Sequence, residues 1–114
     1  MITVININEI NLILKDYQGA KAMIWSFVLT HRKLFIQLDH PSKDKVVYLV
    51  AIGCQQIQGP FSWKDANLCV SEEKEQLSTE FNSLIVDDVS GFQLVASGGV
   101  ILAYDLEKEN IDAW

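Results

Sequence analysis

Residues 46–54, Val46-Val47-Tyr48-Leu49-Val50-Ala51-Ile52-Gly53-Cys54, run for nine positions without a charge, and β-branched and aromatic types dominate them. A bilayer span needs about 20 apolar residues, so this run is too short to cross one. Unbroken apolarity in these residue types suits a strand covered on both faces. The reading is a central strand of an antiparallel sheet, about 30 Å long if the whole run is extended. Gly53, near its end, marks a bulge or a bend.

The segments before the run supply its neighbours. Ala22 to Thr30 is an apolar stretch in which Met23, Trp25, Phe27 and Leu29 alternate with Ala22, Ile24, Ser26 and Val28. The first set is the heavier, and the alternation directs it to the main core. His31-Arg32-Lys33 interrupts, and Leu34 to Asp39 resumes with Leu34, Ile36 and Leu38 on one face. His40 to Lys45 has the Pro, Ser and Asp chemistry of a turn. Three strands joined by links this short pair antiparallel.

Further towards the N-terminus, Asn6 to Tyr17 reads as a helix. Asn6 is the N-cap, Glu9 stands three residues on, and Ile7, Ile10, Leu14 and Tyr17 form an apolar stripe that Gly19 ends. Residues 2–5 make a short edge strand or a lead-in. Beyond the central run, Gln55 to Trp63 is the most irregular piece, with a turn at Gly59-Pro60, and Ala66 to Val70 is a short strand. Ser71 then reads as a second N-cap, with Glu72 and Glu73 in a first turn and Leu77, Phe81 and Leu84 at helical spacing. That predicts a helix over 72–82. Leu84–Val89, Phe92–Ala96 and Val100–Leu106 form a second meander, with tight turns at Ser90-Gly91 and Ser97-Gly98-Gly99. The tail, 107–114, is polar except for Ile111 and Trp114, and reads as a frayed end or one docked by its last tryptophan.

The expected fold is therefore α+β: an antiparallel sheet of about six to seven strands in two meanders, with two helices packed on it. A curled or closed β-barrel with one helix is the alternative. The 114 residues fit a single domain, 1–114, large enough to bury a core without a metal or disulfide staple. The opening residues carry no basic, cleavable leader pattern, so a cytoplasmic address is expected, with Cys54 and Cys69 reduced.

The net charge is −6, and its distribution narrows the partners. Residues 65–88 hold Asp65, Glu72, Glu73, Glu75, Glu80, Asp87 and Asp88 against Lys74 alone; elsewhere acids and bases balance. Nucleic acid is disfavoured as a partner, because phosphate affinity comes from clustered Lys and Arg. The acidic segment is either a solvated face or a patch that meets a basic protein. Beside it, Phe61 and Trp63 flank a Gly-Pro turn, either as exposed apolar anchors or as cover for the end of the core.

No residue pattern points to a reaction centre. His31 and His40 both lie in turns, without a second ligand at metal spacing, and C-x-x-C, H-x-x-x-H and H-E-x-x-H are absent. A cysteine nucleophile needs a histidine base in reach, and the topology brings only His31 towards Cys54. Asp87 and Asp88, adjacent on a strand, point to opposite faces and cannot share a proton. Gly98-Gly99 lacks the residues of a phosphate loop. The sequence reads as a small acidic, non-enzymatic interaction protein of inhibitor, immunity or adaptor type. It would bind a basic partner through Phe61, Trp63, Glu72, Glu73 and Glu75, with no cofactor, metal, nucleic acid or membrane. The alternatives are a carrier of a small apolar ligand in a cavity lined by Trp25, Phe27, Tyr48 or Tyr104, and, further off, an enzyme. A homodimer through a sheet edge or face fits all three.

Overall fold

The computed structural model describes residues 2–74 and 81–104. The elements in chain order are β1 (Ile2–Val4), α1 (Ile7–Asp16), β2 (Lys21–Val28), β3 (Lys33–Asp39), β4 (Val47–Ala51), β5 (Cys54–Gln58), β6 (Ser62–Trp63), β7 (Leu68–Lys74), β8 (Phe81–Asp87), β9 (Phe92–Ala96) and β10 (Val100–Tyr104). A short 3₁₀ turn, Thr30–Arg32, joins β2 to β3. The strands form two antiparallel sheets. The first has the order β1-β10-β4-β3-β2-β6, and the second β5-β9-β8-β7. The fold is α+β, as composition and patterning indicate, but both sheets are open rather than closed into a barrel.

The central run is extended and hidden on both sides, yet it belongs to both sheets. All five residues of β4 are buried, and β4 lies between β3 and β10, antiparallel to each. The strand then ends. Gly53 takes φ +69°, a conformation open to glycine and costly for other residues, and Cys54 starts β5 in the second sheet. The expected 30 Å strand is thus a bent one. The return path bends beside it: Ile52 N–H donates to Gly99 O (2.9 Å), Gly98 N–H to Ile52 O (2.8 Å) and Ser97 N–H to Gly53 O (3.0 Å). The glycines at 98 and 99 make no hairpin; they carry the chain from β9 in the second sheet to β10 in the first. Two neighbouring strands therefore turn one corner together, a known way for sandwiched sheets to share strands.

Between the sheets lies the main core. Leu34, Ile36 and Leu38 of β3, Leu49 of β4 and Leu102 of β10 meet Val70, Ile85, Phe92 and Leu94 of the second sheet, and Ile10 and Leu14 of α1 join them. The helix begins as its sequence dictates: the side-chain carbonyl of Asn6 accepts the Glu9 N–H at 3.1 Å. It packs chiefly on β7, where the Asn11 amide clamps the strand, its Nδ2 donating to Val70 O and its Oδ1 accepting Val70 N–H, both at 2.8 Å.

Three expectations are corrected. The helix predicted over 72–82 is a pair of strands where it is described: β7 and β8 pair from Leu68↔Asp87 to Lys74↔Phe81. The acidic opening and the spacing of Leu77, Phe81 and Leu84 imitate a helix start, but the alternation of buried Leu68 and Val70, and of Ser83, Ile85 and Asp87, obeys the strand period instead. Among the described residues there are accordingly ten strands and one α-helix, not six or seven strands and two helices. The face assignment of β2 is also reversed in its first half. Past a bulge between Ile24 and Ser26, Phe27 pairs with core-facing Leu34 and keeps its expected side, but before it Ala22 and Ile24 face the main core and Trp25 the outer side of the first sheet. There Trp25 packs edge-to-face on Tyr48 in a second cluster with Phe35 and Val50. Glu75, Glu80 and the tail at 107–114 lie outside the described residues.

Candidate partner-binding surface

Trp63 and Asp87 decide how the Gly-Pro loop is held. Trp63 ends the two-residue strand β6, opposite Ala22, and only 8% of it is exposed. Its ring stacks on Phe92 with centroids 4.7 Å apart, and its indole N–H donates to Asp87 Oδ2 at 2.8 Å. Asp87 is the last residue of β8 and is 1% exposed. Its Oδ2 also accepts Asn67 N–H (2.8 Å), and its Oδ1 accepts the N–H groups of Val89 (2.9 Å) and Ser90 (3.1 Å). Four donors satisfy the four acceptor directions of one carboxylate. Asp87 is therefore the joint that fixes the β6–β7 connection to the β8–β9 turn, and it adds nothing to an acidic surface.

Phe61 stands two residues before Trp63 and is 79% exposed. Its backbone does not share that freedom: its carbonyl accepts the Ile24 N–H at 2.7 Å. Just upstream, Gly59 (φ +125°) passes so close to β9 that a Cβ would sit 2.8 Å from Phe92 Cα. The loop thus presents a large apolar group from a fixed base. Two residues beyond Trp63, Asp65 is exposed, and next to Asp87 both Asp88 and Val89 are exposed. The Trp63–Asp87 hydrogen bond draws these two short segments together.

Glu72 and Glu73 are both exposed, on opposite faces of β7, opposite Ser83 and Asn82. Leu68, where β7 pairs with Asp87, is five residues from Glu73, about 17 Å along an extended strand. The structure therefore ties the segment that carries Phe61 and Asp65 to the one that carries Asp88, and sets Glu72 and Glu73 at the other end of β7. Trp63 faces inward, and Glu75 is not described. The alternation of β7 was the available signal for this arrangement.

The groups with reactive chemistry are placed as structural parts. Cys54 and Cys69 are free thiols. Burial pushes the Cys54 thiol above its ordinary range, and Arg32 nearby partly offsets the shift, so the environment favours thiol over thiolate. The chain does bring His31 beside the residue before Cys54, but the contact is from Gly53 N–H to His31 O at 2.9 Å, backbone to backbone. His40 closes the β3–β4 turn: its Nδ1 accepts Ser42 N–H at 3.0 Å and its Nε2 lies 3.1 Å from Gln18 O, which assigns the proton to Nε2. Among the described residues, no group of three or more His, Cys, Asp or Glu side chains is placed to hold a metal ion.

Two concave regions matter for ligands. A trough of about 460 Å³ lies along the second sheet, lined by Gln55, Gln56, Ile57, Gln58, Gln93 and Val95. A smaller cleft of about 180 Å³ is lined by Ile13, Tyr17, Lys45, Val47 and Tyr104. Tyr48 and Tyr104 fall on opposite faces of the first sheet, since Tyr104 pairs with Val47 of the main core while Tyr48 belongs to the outer cluster. They do not line one cavity together. No described helix is long and apolar enough to cross a membrane. No family model matches the chain, and neither a curated protein nor a solved structure matches it.

Proposed function

We propose that this protein is a non-enzymatic interaction module that docks a basic protein partner. The observation that carries the reading is Phe61, 79% exposed on a loop whose backbone is tied to β2 and, through Trp63, to Asp87. An aromatic group held out to solvent on a fixed support loses little freedom when a partner covers it, which is how binding hot spots gain affinity. Asp65 and Asp88 supply the charged rim. Glu72 and Glu73 on β7 extend the negative field along the molecule and steer a positively charged partner towards it.

The test is retention of partners from native lysate on the immobilised protein, compared with Phe61→Ala and with the double variant Asp65→Lys, Asp88→Lys. A bound protein with a basic isoelectric point, lost with Phe61→Ala and retained less by the charge variant as salt falls, supports the reading. Retention of the same proteins by all three forms refutes it. So does a bound set whose association rate does not change with ionic strength.

A further inference from the structure

The four sheet edges are not alike. β1 has three residues and β6 has two, too short to template another strand, and where β2 runs on past β6 it is interrupted by the bulge between Ile24 and Ser26. β7 carries exposed Glu72 and Glu73, the charged type of edge that discourages pairing. The fourth edge, β5, has neither protection. It is five residues long, reads Cys-Gln-Gln-Ile-Gln, bears no charge, and is exposed from Gln55 to Gln58. Its one strand neighbour among the described residues is β9, and no described strand pairs with its other side.

We infer that β5 is the pairing edge for a second copy of this chain, joined antiparallel about a two-fold axis through Ile57. Its composition fits itself better than it fits a charged partner. The bulge between Cys54 and Gln56 leaves Gln56-Ile57-Gln58 as the regular part of the strand, and Ile57 is its centre. A two-fold there sets Ile57 against the copy's Ile57 and each Gln56 against the other chain's Gln58, the self-complementary pattern of an isologous contact. Each glutamine amide both donates and accepts, so the pairs match without a second residue type. Gln56 and Gln58 project to the same side as their neighbours Val95 and Gln93, so the amide-rich trough continues across the junction into that of the copy. Ile57, 44% exposed in the single chain, is covered. Lysine or glutamate at its position would oppose its own charge; isoleucine does not.

The expected contact is small. Standard interfaces bury about 800 Å² per partner over about 20–30 residues, so some ten residues a side bury roughly 300–400 Å² each, a size that suits a weak, reversible dimer. Sedimentation velocity of the full chain across a concentration series tests it. A concentration-dependent monomer–dimer equilibrium is expected, with the dimer weakened at least tenfold by Ile57→Lys. Gln56→Lys, on the outer side of the same strand, is expected to weaken it by a smaller factor. Both sites are exposed, and an unchanged far-UV circular dichroism spectrum confirms folding. Ile57→Cys in a Cys69→Ser background is expected to oxidise to a symmetric disulfide dimer faster than Gln56→Cys, which faces position 58 instead. A chain that stays monomeric throughout the series overturns the inference. A dimer indifferent to Ile57→Lys also overturns it, since the contact then lies elsewhere. Neither result bears on Phe61, which is read out by the separate partner assay.

Discussion

Replacing Asp87 by alanine is the sharpest test of the loop architecture. The carboxylate accepts four hydrogen bonds, from the Trp63 indole and from the backbone of Asn67, Val89 and Ser90. These losses are unequal. Val89 is exposed and Ser90 half-buried, so water replaces the acceptor there at about 0.5 kcal/mol each. The indole N–H is buried and is left without an acceptor, at about 1–3 kcal/mol, and the Asn67 N–H adds about 1 kcal/mol. The total is about 4 kcal/mol, from a stability that for most domains is about 5–15 kcal/mol. At about 4 °C per kcal/mol for a chain of this size, the melting temperature falls by about 16 °C. Asp87→Asn keeps one acceptor oxygen but turns an NH₂ towards N–H donors, and falls between alanine and wild type. Trp63→Phe removes the indole N–H together with part of the buried ring that stacks on Phe92, and costs about 2–3 kcal/mol. Urea denaturation followed by far-UV circular dichroism measures all three, and the double variant with Asp87→Ala gives the coupling, expected at about 1–2 kcal/mol. An Asp87→Ala variant within about 1 kcal/mol of wild type, or strict additivity with Trp63→Phe, refutes the argument.

Three other outcomes follow from the geometry. Asn11→Ala frees both backbone groups of Val70 and is expected to cost about 2 kcal/mol in urea denaturation; Asn11→Asp is no better, because a carboxylate cannot donate to Val70 O, and in both variants the Val70 amide exchanges faster. Gly59→Ala places a methyl against the β9 backbone at a left-handed φ, with an expected loss of at least about 2 kcal/mol in the same assay. Iodoacetamide at pH 8 is expected to modify exposed Cys69 before Cys54, as mass spectrometry of a time course would show. Because the folded state raises the Cys54 value, it holds that proton more tightly than the unfolded chain does; its contribution is intact at neutral pH and is lost as pH climbs past about 9, where Cys54 labelling should also accelerate.

How much of this was legible depended on whether a residue's role is set by its neighbours in the chain or by partners far away. The burial of Val47 to Ala51, the Asn6 cap and the inward face of β3 follow from local pattern, and the sequence shows them. The bend at Gly53 was visible as a hint, but its consequence, a change of sheet, depends on Gly98 and Gly99 lying alongside. The faces of β2 were misassigned because its heavier alternate set was sent inward, whereas the smaller Ala22 and Ile24 pack on the core and a bulge after Ile24 then breaks the period-two pattern. Asp87 was read as surface charge because burial of a carboxylate is favourable only with donors present, and those come from Trp63 and Asn67, about 20 positions away. Of the expected binding residues, Phe61, Glu72 and Glu73 are exposed and Trp63 is not; Phe61 and Trp63 looked equivalent in the sequence because only the pairing of β6 with β2 decides which ring turns inward. The open edge at β5 escaped notice because its glutamines read as loop.

The shared corner at Gly53 and Gly98–Gly99 has a kinetic and mechanical meaning. Both sheets hang from the same two continuous strands, so neither layer can slide from or detach without the other. Contacts there join positions 44 residues apart, so the corner closes only once two distant parts of the chain have met. Once closed, it makes disruption all-or-none: the amides of Val50 in one layer and Leu94 in the other should exchange with solvent through one common opening, at the same free energy.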